Sequence, residues 1–135
     1  MTYIKESDEK RLAAHLLARD ISSTLTVYMA RRSDSSSAAM LDLVDYLVSL
    51  APSRLKRNLE RFTNSQDGPR LRISSALHPD PGIEFWGAPS GHEFSSLVHA
   101  IELVTGIRHT LDPVTLALLH QLGTITPVKI YVTPT

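Results

Sequence analysis

Helical and strand periodicities alternate along this chain of 135 residues, and their order restricts the folds open to it. An N-terminal helix that begins around Ser7 and ends near Arg19 is predicted by apolar residues at helical spacing. Strict alternation over residues 24–30 then predicts a strand. A second helical pattern covers residues 40–50 and ends before Pro52. Helix, strand and helix in succession predict an α/β domain.

The middle of the chain predicts three further strands. The spacing of the apolar side chains in residues 55–63 fits a helix. A crossover helix is, however, normally followed by another strand of the same sheet, so we favour a strand here. Residues 70–75 and 83–86 alternate on either side of a turn-rich loop and predict a β-hairpin. With the strand over residues 24–30, these segments predict a mixed central sheet of about four strands flanked by helices.

Two helices and a last strand complete the pattern. The sequence Ser-Gly-His-Glu at residues 90–93 has the spacing of a capping box and predicts a helix that ends near Gly106. Asp-Pro at residues 112–113 predicts the start of another helix, which Gly123 ends. Residues 128–132 then predict a final strand.

Composition excludes several classes of function. The chain contains no cysteine, so disulfides, thiolate catalysis and thiolate metal ligands are impossible. Fourteen basic residues balance fourteen acidic ones, and no overall field attracts nucleic acid. No segment reaches the roughly 18 apolar residues of a membrane span, and the N-terminus lacks the apolar core of a signal peptide. We therefore expect a cytoplasmic protein with neither nucleic acid nor membrane as its partner.

Metal and cofactor sites receive no support from the motifs. The sequence that starts at His92 lacks the second histidine of His-Glu-x-x-His, and no other histidine pair has close ligand spacing. A glycine loop that would bind phosphate is also missing, so we expect no metal and no cofactor. Basic residues concentrate between residues 54 and 72 with almost no aromatic residue among them. This favours a solvated or partner-facing surface over a nucleic-acid surface.

The two ends of the chain resemble each other. Residues 25–29 align without gaps with residues 128–132, and Leu16 aligns with Leu119. In both copies a helix leads through a joint rich in serine and threonine into a strand that carries a tyrosine. The match indicates one unit and the beginning of a second, in a chain cut from a longer protein. Chance is the alternative, because buried strands draw on few residue types.

Residues 82–97, Gly-Ile-Glu-Phe-Trp-Gly-Ala-Pro-Ser-Gly-His-Glu-Phe-Ser-Ser-Leu, are similar to a stretch in glutaredoxin-like protein disulfide oxidoreductases and in the N-terminal part of the flavoprotein of alkyl hydroperoxide reductase. Residues 128–135 resemble the strand that in those families runs into Cys-x-x-Cys of a second thioredoxin fold. Residues 1–80 match in pattern only. The resemblance implies a thioredoxin-like domain without a dithiol over residues 1–108 and the start of a second such unit over residues 109–135.

The resemblance also implies a function. Those families fuse two thioredoxin folds, and in the reductase flavoprotein only the second carries the working dithiol. This chain would then be the redox-inactive half of a thiol–disulfide oxidoreductase, supporting and tuning the dithiol of the missing half, with protein disulfides as partners. Alone it would be no enzyme, whereas its parent would be one. The alternative is a stand-alone thioredoxin-like module that binds an extended peptide without redox chemistry.

Four site residues follow from the resemblance. Ser33 and Ser36 stand where a Cys-x-x-Cys pair would lie, although serines there can also be cap and loop residues. Pro69 matches the cis-proline beside the dithiol by its order in the chain, and an ordinary trans turn is the alternative. Glu93 would exchange protons with a thiol of the following fold. Alternatively, Glu93 completes the capping box of its own helix.

Overall fold

Four helices and four strands make up the described part of the chain, which comprises residues 3–30, 34–62, 68–107 and 110–132 of a computed structural model. In chain order they are α1 (Glu6–Leu17), β1 (Ser23–Ala30), α2 (Ser35–Leu50), β2 (Leu55–Phe62), β3 (Arg70–Ser75), β4 (Glu84–Trp86), α3 (Glu93–Val104) and α4 (Pro113–His120). All four predicted helices are present. Of the five predicted strands, the first four are confirmed.

The four strands form one mixed sheet in the order β2–β1–β3–β4. β1 pairs in parallel with β2 and antiparallel with β3, and β4 pairs antiparallel with β3. Two parallel neighbours need a crossover connection, and α2 supplies it. The predicted α/β class, with a mixed sheet of four strands and flanking helices, is therefore confirmed. The ambiguous segment is a strand because its backbone pairs with β1 along its whole length.

The core lies on one face of the sheet. Successive strand residues point to opposite faces, and the inward residues of the central strands are fully buried. They pack with buried residues of α1, α2 and α3 in a single cluster, which includes Leu16, Leu25, Val27, Met40, Leu43, Leu47, Leu71, Ile73, Leu97 and Ile101. These three helices therefore share one side of the sheet. The opposite side carries the alternate, largely polar residues.

The last turn of α3 joins three elements. His15 Nε2 of α1 lies 2.7 Å from Glu102 Oε1. Arg19 donates from Nε to Thr105 Oγ1 at 3.2 Å and from a terminal nitrogen to the Thr105 carbonyl at 3.0 Å. The Ser75 hydroxyl at the end of β3 donates to the carbonyl of Val104. Carbonyls at a helix C-terminus lack partners within the helix, and the bonds from Arg19 and Ser75 satisfy two of them. The bonds of His15 and Arg19 also hold α1 and the turn after it against α3.

Two of the predicted helix starts need correction. α1 is preceded by Lys5 in the N-cap position, without a side-chain cap, rather than by Ser7. The capping box at residues 90–93 does not form, because α3 begins at Glu93 and its N-cap, His92, makes no side-chain cap bond. A box would require helical geometry from Gly91 onward, whereas Gly91 has a φ of 61°. By contrast, Asp112 caps α4 as predicted, accepting from the Thr115 amide at 2.9 Å.

The predicted final strand is wrong for this structure. Residues 128–132 belong to no strand, and their backbone joins no sheet ladder. Their side chains are strongly exposed, with Ile130 at 83%. Alternation indicates which conformation a segment favours, but a strand exists only when another strand satisfies its backbone. In the described part of the chain, residues 128–132 have no such neighbour.

An ordered group of side chains covers part of the open face of the sheet, and we call it the aromatic–arginine face: Tyr28, Arg70, Arg72, Glu84 and Trp86. The Arg70 guanidinium lies 4.1 Å from the centroid of the Trp86 ring. Trp86 Nε1 donates to Glu84 Oε2 at 3.2 Å, and Arg72 Nε donates to Glu84 Oε1 at 2.5 Å. Arg72 in turn lies 5.1 Å from the Tyr28 ring centroid. Cross-strand pairs of this kind stabilise a sheet and fix its side chains.

Glu84 is the central acceptor of this face. Burial alone would raise the pKa of Glu84, but the hydrogen bonds from Arg72 and Trp86, together with the charges of Arg72 and Arg70, hold that pKa below its ordinary value. A carboxyl whose pKa is lower in the folded state stabilises the fold above its unfolded pKa. That contribution disappears as pH falls through the folded pKa.

We expect Leu71→Ala to lower the free energy of unfolding by about 2–5 kcal/mol, because Leu71 is fully buried in β3 and its truncation leaves a cavity. Urea unfolding followed by circular dichroism measures the change. Leu103→Ala is the matched control, since Leu103 is exposed on α3, and it should change the free energy far less. Equal losses in the two variants would contradict the assigned core.

We expect Glu84→Gln to destabilise the protein at pH 7 and to lose this effect in acid. As pH falls through the lowered folded pKa of Glu84, the wild-type carboxyl becomes protonated, so the difference in stability between the two proteins should shrink. Urea unfolding at pH 7 and pH 3 tests this, with Glu60→Gln on β2 as the control. A stability difference for Glu84→Gln that is the same at both pH values would rule out the proposed role of the charge.

Candidate functional site at the carboxyl end of β1

All four strands have an end on the same side of the sheet, since β2 runs parallel to β1 and Phe62 pairs with Ala30. β1 ends there at Ala30, just before α2 begins. β3 starts at this edge, because the pairing of Tyr28 with Arg70 places Pro69 alongside the last residues of β1. β4 ends there too, since Trp86 pairs with Arg70. Loops at such an edge are where a rigid sheet can present functional side chains.

Of the two serines at the predicted dithiol position, only Ser36 can be placed. Ser33 lies outside the described residues. Ser36 lies in the first turn of α2 and is exposed. The helix dipole at this end would stabilise a thiolate, but a serine hydroxyl has a pKa far above that of a thiol and stays protonated. The start of α2 therefore has a dipole that would favour a thiolate, but the chain has no sulfur atom of cysteine to place there.

Asp34 forms the cap of α2. Its Oδ1 accepts a hydrogen bond from the Ser37 amide at 2.7 Å, and this bond lowers the pKa of the Asp34 carboxyl. The N-cap of α2 is thus Asp34, which lies within the serine-rich residues 33–37 that were predicted to form a cap and a loop. It also puts a negative charge next to Ser36.

Pro69 is buried at the start of β3. The described residues contain no cis peptide bond, so the bond between Gly68 and Pro69 is trans, and the cis-proline hypothesis is corrected accordingly. The Pro69 carbonyl accepts a hydrogen bond from the Gly87 amide at 3.0 Å. This hydrogen bond extends the antiparallel pairing of β3 and β4 by one position, from Arg70 and Trp86 to Pro69 and Gly87.

Glu93 is the first residue of α3 and is half-buried. Its side chain makes no hydrogen bond with the other described residues, and the cap that the sequence offered as an alternative role is not formed. A carboxylate in the first turn is favoured by the positive end of the helix dipole. The side chain therefore remains available for a group outside the described residues.

The structure brings these residues to one region only in part. Strand register places Pro69 beside the end of β1, close in the fold to the start of α2. No hydrogen bond links Ser36, Pro69 and Glu93 within the described ranges. Two surface depressions, of about 270 and 350 Å³, are lined by other residues. Ser36 is exposed, Glu93 is half-buried and Pro69 is buried.

Trp86 is the residue that sequence reasoning missed. Its indole is 64% exposed at the end of β4, although tryptophan is usually covered in a folded domain. The alternation of residues 83–86 already placed its side chain opposite Phe85. What the sequence could not show was that no helix of the described structure covers that face.

Two further findings concern the described residues only. None of their helices is both long and apolar enough to cross a membrane. No cluster of three or more histidine and carboxylate side chains among them has a geometry that could hold a metal ion.

Three kinds of comparison place this chain beside known proteins, and the solved structures among them bear on its fold. No protein-family model matches the sequence. One curated relative, an NADH dehydrogenase from Ferdinandcohnia aciditolerans, is 43% identical over 79 residues, which cover 54% of this chain and 13% of the relative. The alkylhydroperoxide reductase protein AhpF from Enterococcus faecalis superposes with a TM-score of 0.70 at 22% identity, covering 84% of this chain and 58% of that one.

Two other solved structures extend the comparison. The NTD N/C domain of the same Enterococcus faecalis protein has a TM-score of 0.70 at 22% identity, with 83% of this chain and 57% of that one covered. A protein disulfide oxidoreductase from Aeropyrum pernix has a TM-score of 0.68 at 16% identity, with 90% and 56% covered. This chain spans little more than half of each of these structures. The predicted fold is thereby confirmed: the chain is a thioredoxin-like domain, with the fold of part of AhpF and of a protein disulfide oxidoreductase.

Proposed function

We propose that this chain is the redox-inactive thioredoxin-fold half of a cytoplasmic thiol–disulfide oxidoreductase of the peroxide-reductase type. It supports and tunes a dithiol in a second half, which passes electrons between protein disulfides. One observation carries the proposal: a chain without cysteine has the fold of part of an alkylhydroperoxide reductase protein and of a disulfide oxidoreductase. A cysteine-free half can supply shape and charge to a dithiol but not the sulfur atoms.

The surface of residues 110–132 supports a second unit. α4 consists mainly of apolar residues, yet none of them is buried, and Val114 is 71% exposed. An isolated helix of this length is only marginally stable in water. A second thioredoxin-like unit that begins at residue 109 would cover α4 and would pair residues 128–132 as its first strand. This division follows the repeat between residues 25–29 and 128–132.

Glu93 supports the tuning role. A proton-exchanging carboxyl must be partly desolvated and free to contact the reacting sulfur. Glu93 is half-buried, and within the described structure its carboxylate is used neither by a cap nor by an ion pair. In the proposed parent, Glu93 would accept the proton of a dithiol thiol and return it when the disulfide is reduced.

The alternative function, a stand-alone module that binds an extended peptide at Pro69, has less support. Peptide capture there would need free backbone groups next to the proline. The Pro69 side chain is buried and its carbonyl already accepts the Gly87 amide.

We expect the 135-residue chain to reduce insulin disulfides only at the background rate, because it has no thiol. The same chain extended through the Cys-x-x-Cys that we expect downstream should reduce insulin well above background. The turbidity of precipitating insulin chains measures both rates. A stop codon directly after Thr135, or an extended chain without activity, would defeat the proposal.

In the extended protein, we expect Glu93→Gln to lower the pKa of the nearby thiol. An ionised carboxylate disfavours a thiolate beside it, and the amide removes that repulsion. The pH dependence of thiol alkylation by iodoacetamide measures the pKa. Glu6→Gln, an exposed residue of α1, is the control and should leave the titration unchanged. A thiol pKa that is the same in Glu93→Gln and wild type would reduce Glu93 to a residue of the helix start.

A further inference from the structure

An open depression of about 350 Å³ lies on the side of the domain that the helices cover. It is lined by Tyr3, Asp42, Asp45 and Tyr46. Tyr3 precedes α1, and the other three residues lie on α2, where their spacing of three and four positions places them on one face of the helix. The proposed redox role uses none of these residues.

The two tyrosine rings of the depression are fixed by packing. Their centroids lie 5.0 Å apart, with the ring planes tilted by 49°. The Tyr3 ring also stacks on Phe94 of α3, at a centroid distance of 6.4 Å and an interplanar angle of 2°. Phe94 is buried in the core, and Tyr3 and Tyr46 both pack against the same core cluster. A ligand that packs on rings held in this way costs little side-chain entropy.

Asp42 supplies the uncompensated charge of the depression. The neighbouring Asp45 is compensated, because its two carboxylate oxygens lie 3.0 and 3.1 Å from Nη1 of Arg57. Asp42 is exposed, and its carboxylate forms no ion pair or hydrogen bond with another described residue. Burial and, after it, the charge of Asp42 raise the pKa of the Tyr3 phenol. That phenol therefore stays neutral beside a free carboxylate.

The charges around the depression do not cancel Asp42. Glu9 of α1 is half-buried, and its charge contributes, after burial, to the raised pKa of the Tyr46 phenol. Lys5, in the N-cap position of α1, is exposed and pairs with no described carboxylate. Two negative charges, Glu9 and Asp42, thus face the single positive charge of Lys5, and the surroundings carry one net negative charge.

Aromatic rings beside a carboxylate attract a cation, and the scarcity of acceptors restricts its chemistry. A primary ammonium has three N–H donors, each of which needs an acceptor where water is displaced. Among the residues that line the depression, only Asp42 offers a free carboxylate. A trimethylammonium group has no N–H donor and can pack its methyl groups on the rings. A metal ion fits less well, because the described residues include no group of three carboxylate or histidine ligands.

We propose that this depression binds a trimethylammonium group, with the methyl groups against the rings of Tyr3 and Tyr46 and the charge beside Asp42. Choline and a trimethylated lysine of a partner protein both carry this group. The site belongs to the 135-residue chain itself, so its test is independent of a second unit.

NMR titration of the 135-residue chain with choline tests the proposal. We expect the ring signals of Tyr3 and Tyr46 to shift saturably, with a Kd in the millimolar range. The uncharged analogue of choline, in which a tert-butyl group replaces the trimethylammonium group, should bind about tenfold more weakly or less, because it keeps the shape and loses the charge. Sodium chloride at the same concentration controls for ionic strength.

Two lysine derivatives distinguish the sources of the group. Acetyl-trimethyllysine amide and acetyl-lysine amide are titrated in the same way, and the trimethylated form should bind more tightly. If it also binds more tightly than choline, the ligand is a modified protein side chain. If choline binds more tightly, the ligand is a small molecule.

Variants assign the binding to named residues. Asp42→Asn and Tyr3→Leu should each raise the Kd for choline about threefold or more, because one removes the charge and the other the ring. Tyr3→Phe keeps the ring and should bind nearly as wild type does. Asp80→Asn is the matched control, since Asp80 is an exposed aspartate in the loop before β4.

Four results would overturn the proposal. They are the absence of a saturable shift with choline, equal binding of its uncharged analogue, equal or tighter binding of the unmodified lysine derivative, and a wild-type Kd for Asp42→Asn. Because Asp42 is exposed, its substitution should leave the fold intact, and circular dichroism of each variant checks this.

Discussion

Burial of the inward face of β1 is the interaction on which the rest of the structure depends. Leu25 and Val27 are fully buried, and β1 pairs with a neighbour on each side, parallel on one and antiparallel on the other. The helices that cover this face must therefore lie on one side of the sheet, with α2 as the crossover to β2. The same pairing brings the end of β1 and the start of β3 to one edge. The position of the site is thus a consequence of strand register rather than of any bond within the site.

Much of the fold could be predicted because its elements have strong local periodicity. β1 and α2 follow from alternation and from helical spacing, whereas residues 55–63 carried both signals. Pairing with β1 makes this segment a strand, and a local sequence pattern does not show which strand will pair with it. The predictions that failed also depended on more than the local pattern. Residues 128–132 alternate but have no neighbouring strand in the described structure. Residues 90–93 have the residue types of a capping box, but Gly91 has a φ of 61° where the helix would have to start.

The candidate site was predictable where chemistry depends on residue type alone. Absence of cysteine excludes thiol chemistry whatever the fold, and the structure adds only the placement of Ser36 at an exposed helix start. The aromatic–arginine face was not predictable in this way. The basic stretch between residues 54 and 72 lacks aromatic residues other than Phe62, so the sequence alone favoured a solvated or partner-facing surface. Tyr28 from β1 and Trp86 from β4 supply the rings, and only the sheet brings residues so distant in the chain together.

The segment that joins β4 to α3 connects the two faces of the sheet. Trp86 ends β4 on the open face of the sheet, and Glu93 begins α3, whose buried residues join the core on the other face. Gly87 and Gly91 have φ values of 90° and 61°, which residues with side chains rarely adopt, so the chain can turn from one face to the other within a few residues. A domain that has no thiol for the α2 dipole to act on still holds an exposed indole and a carboxylate at fixed positions. Pairing with β3 fixes Trp86, the packing of α3 fixes Glu93, and this short connection keeps the two residues close in the chain.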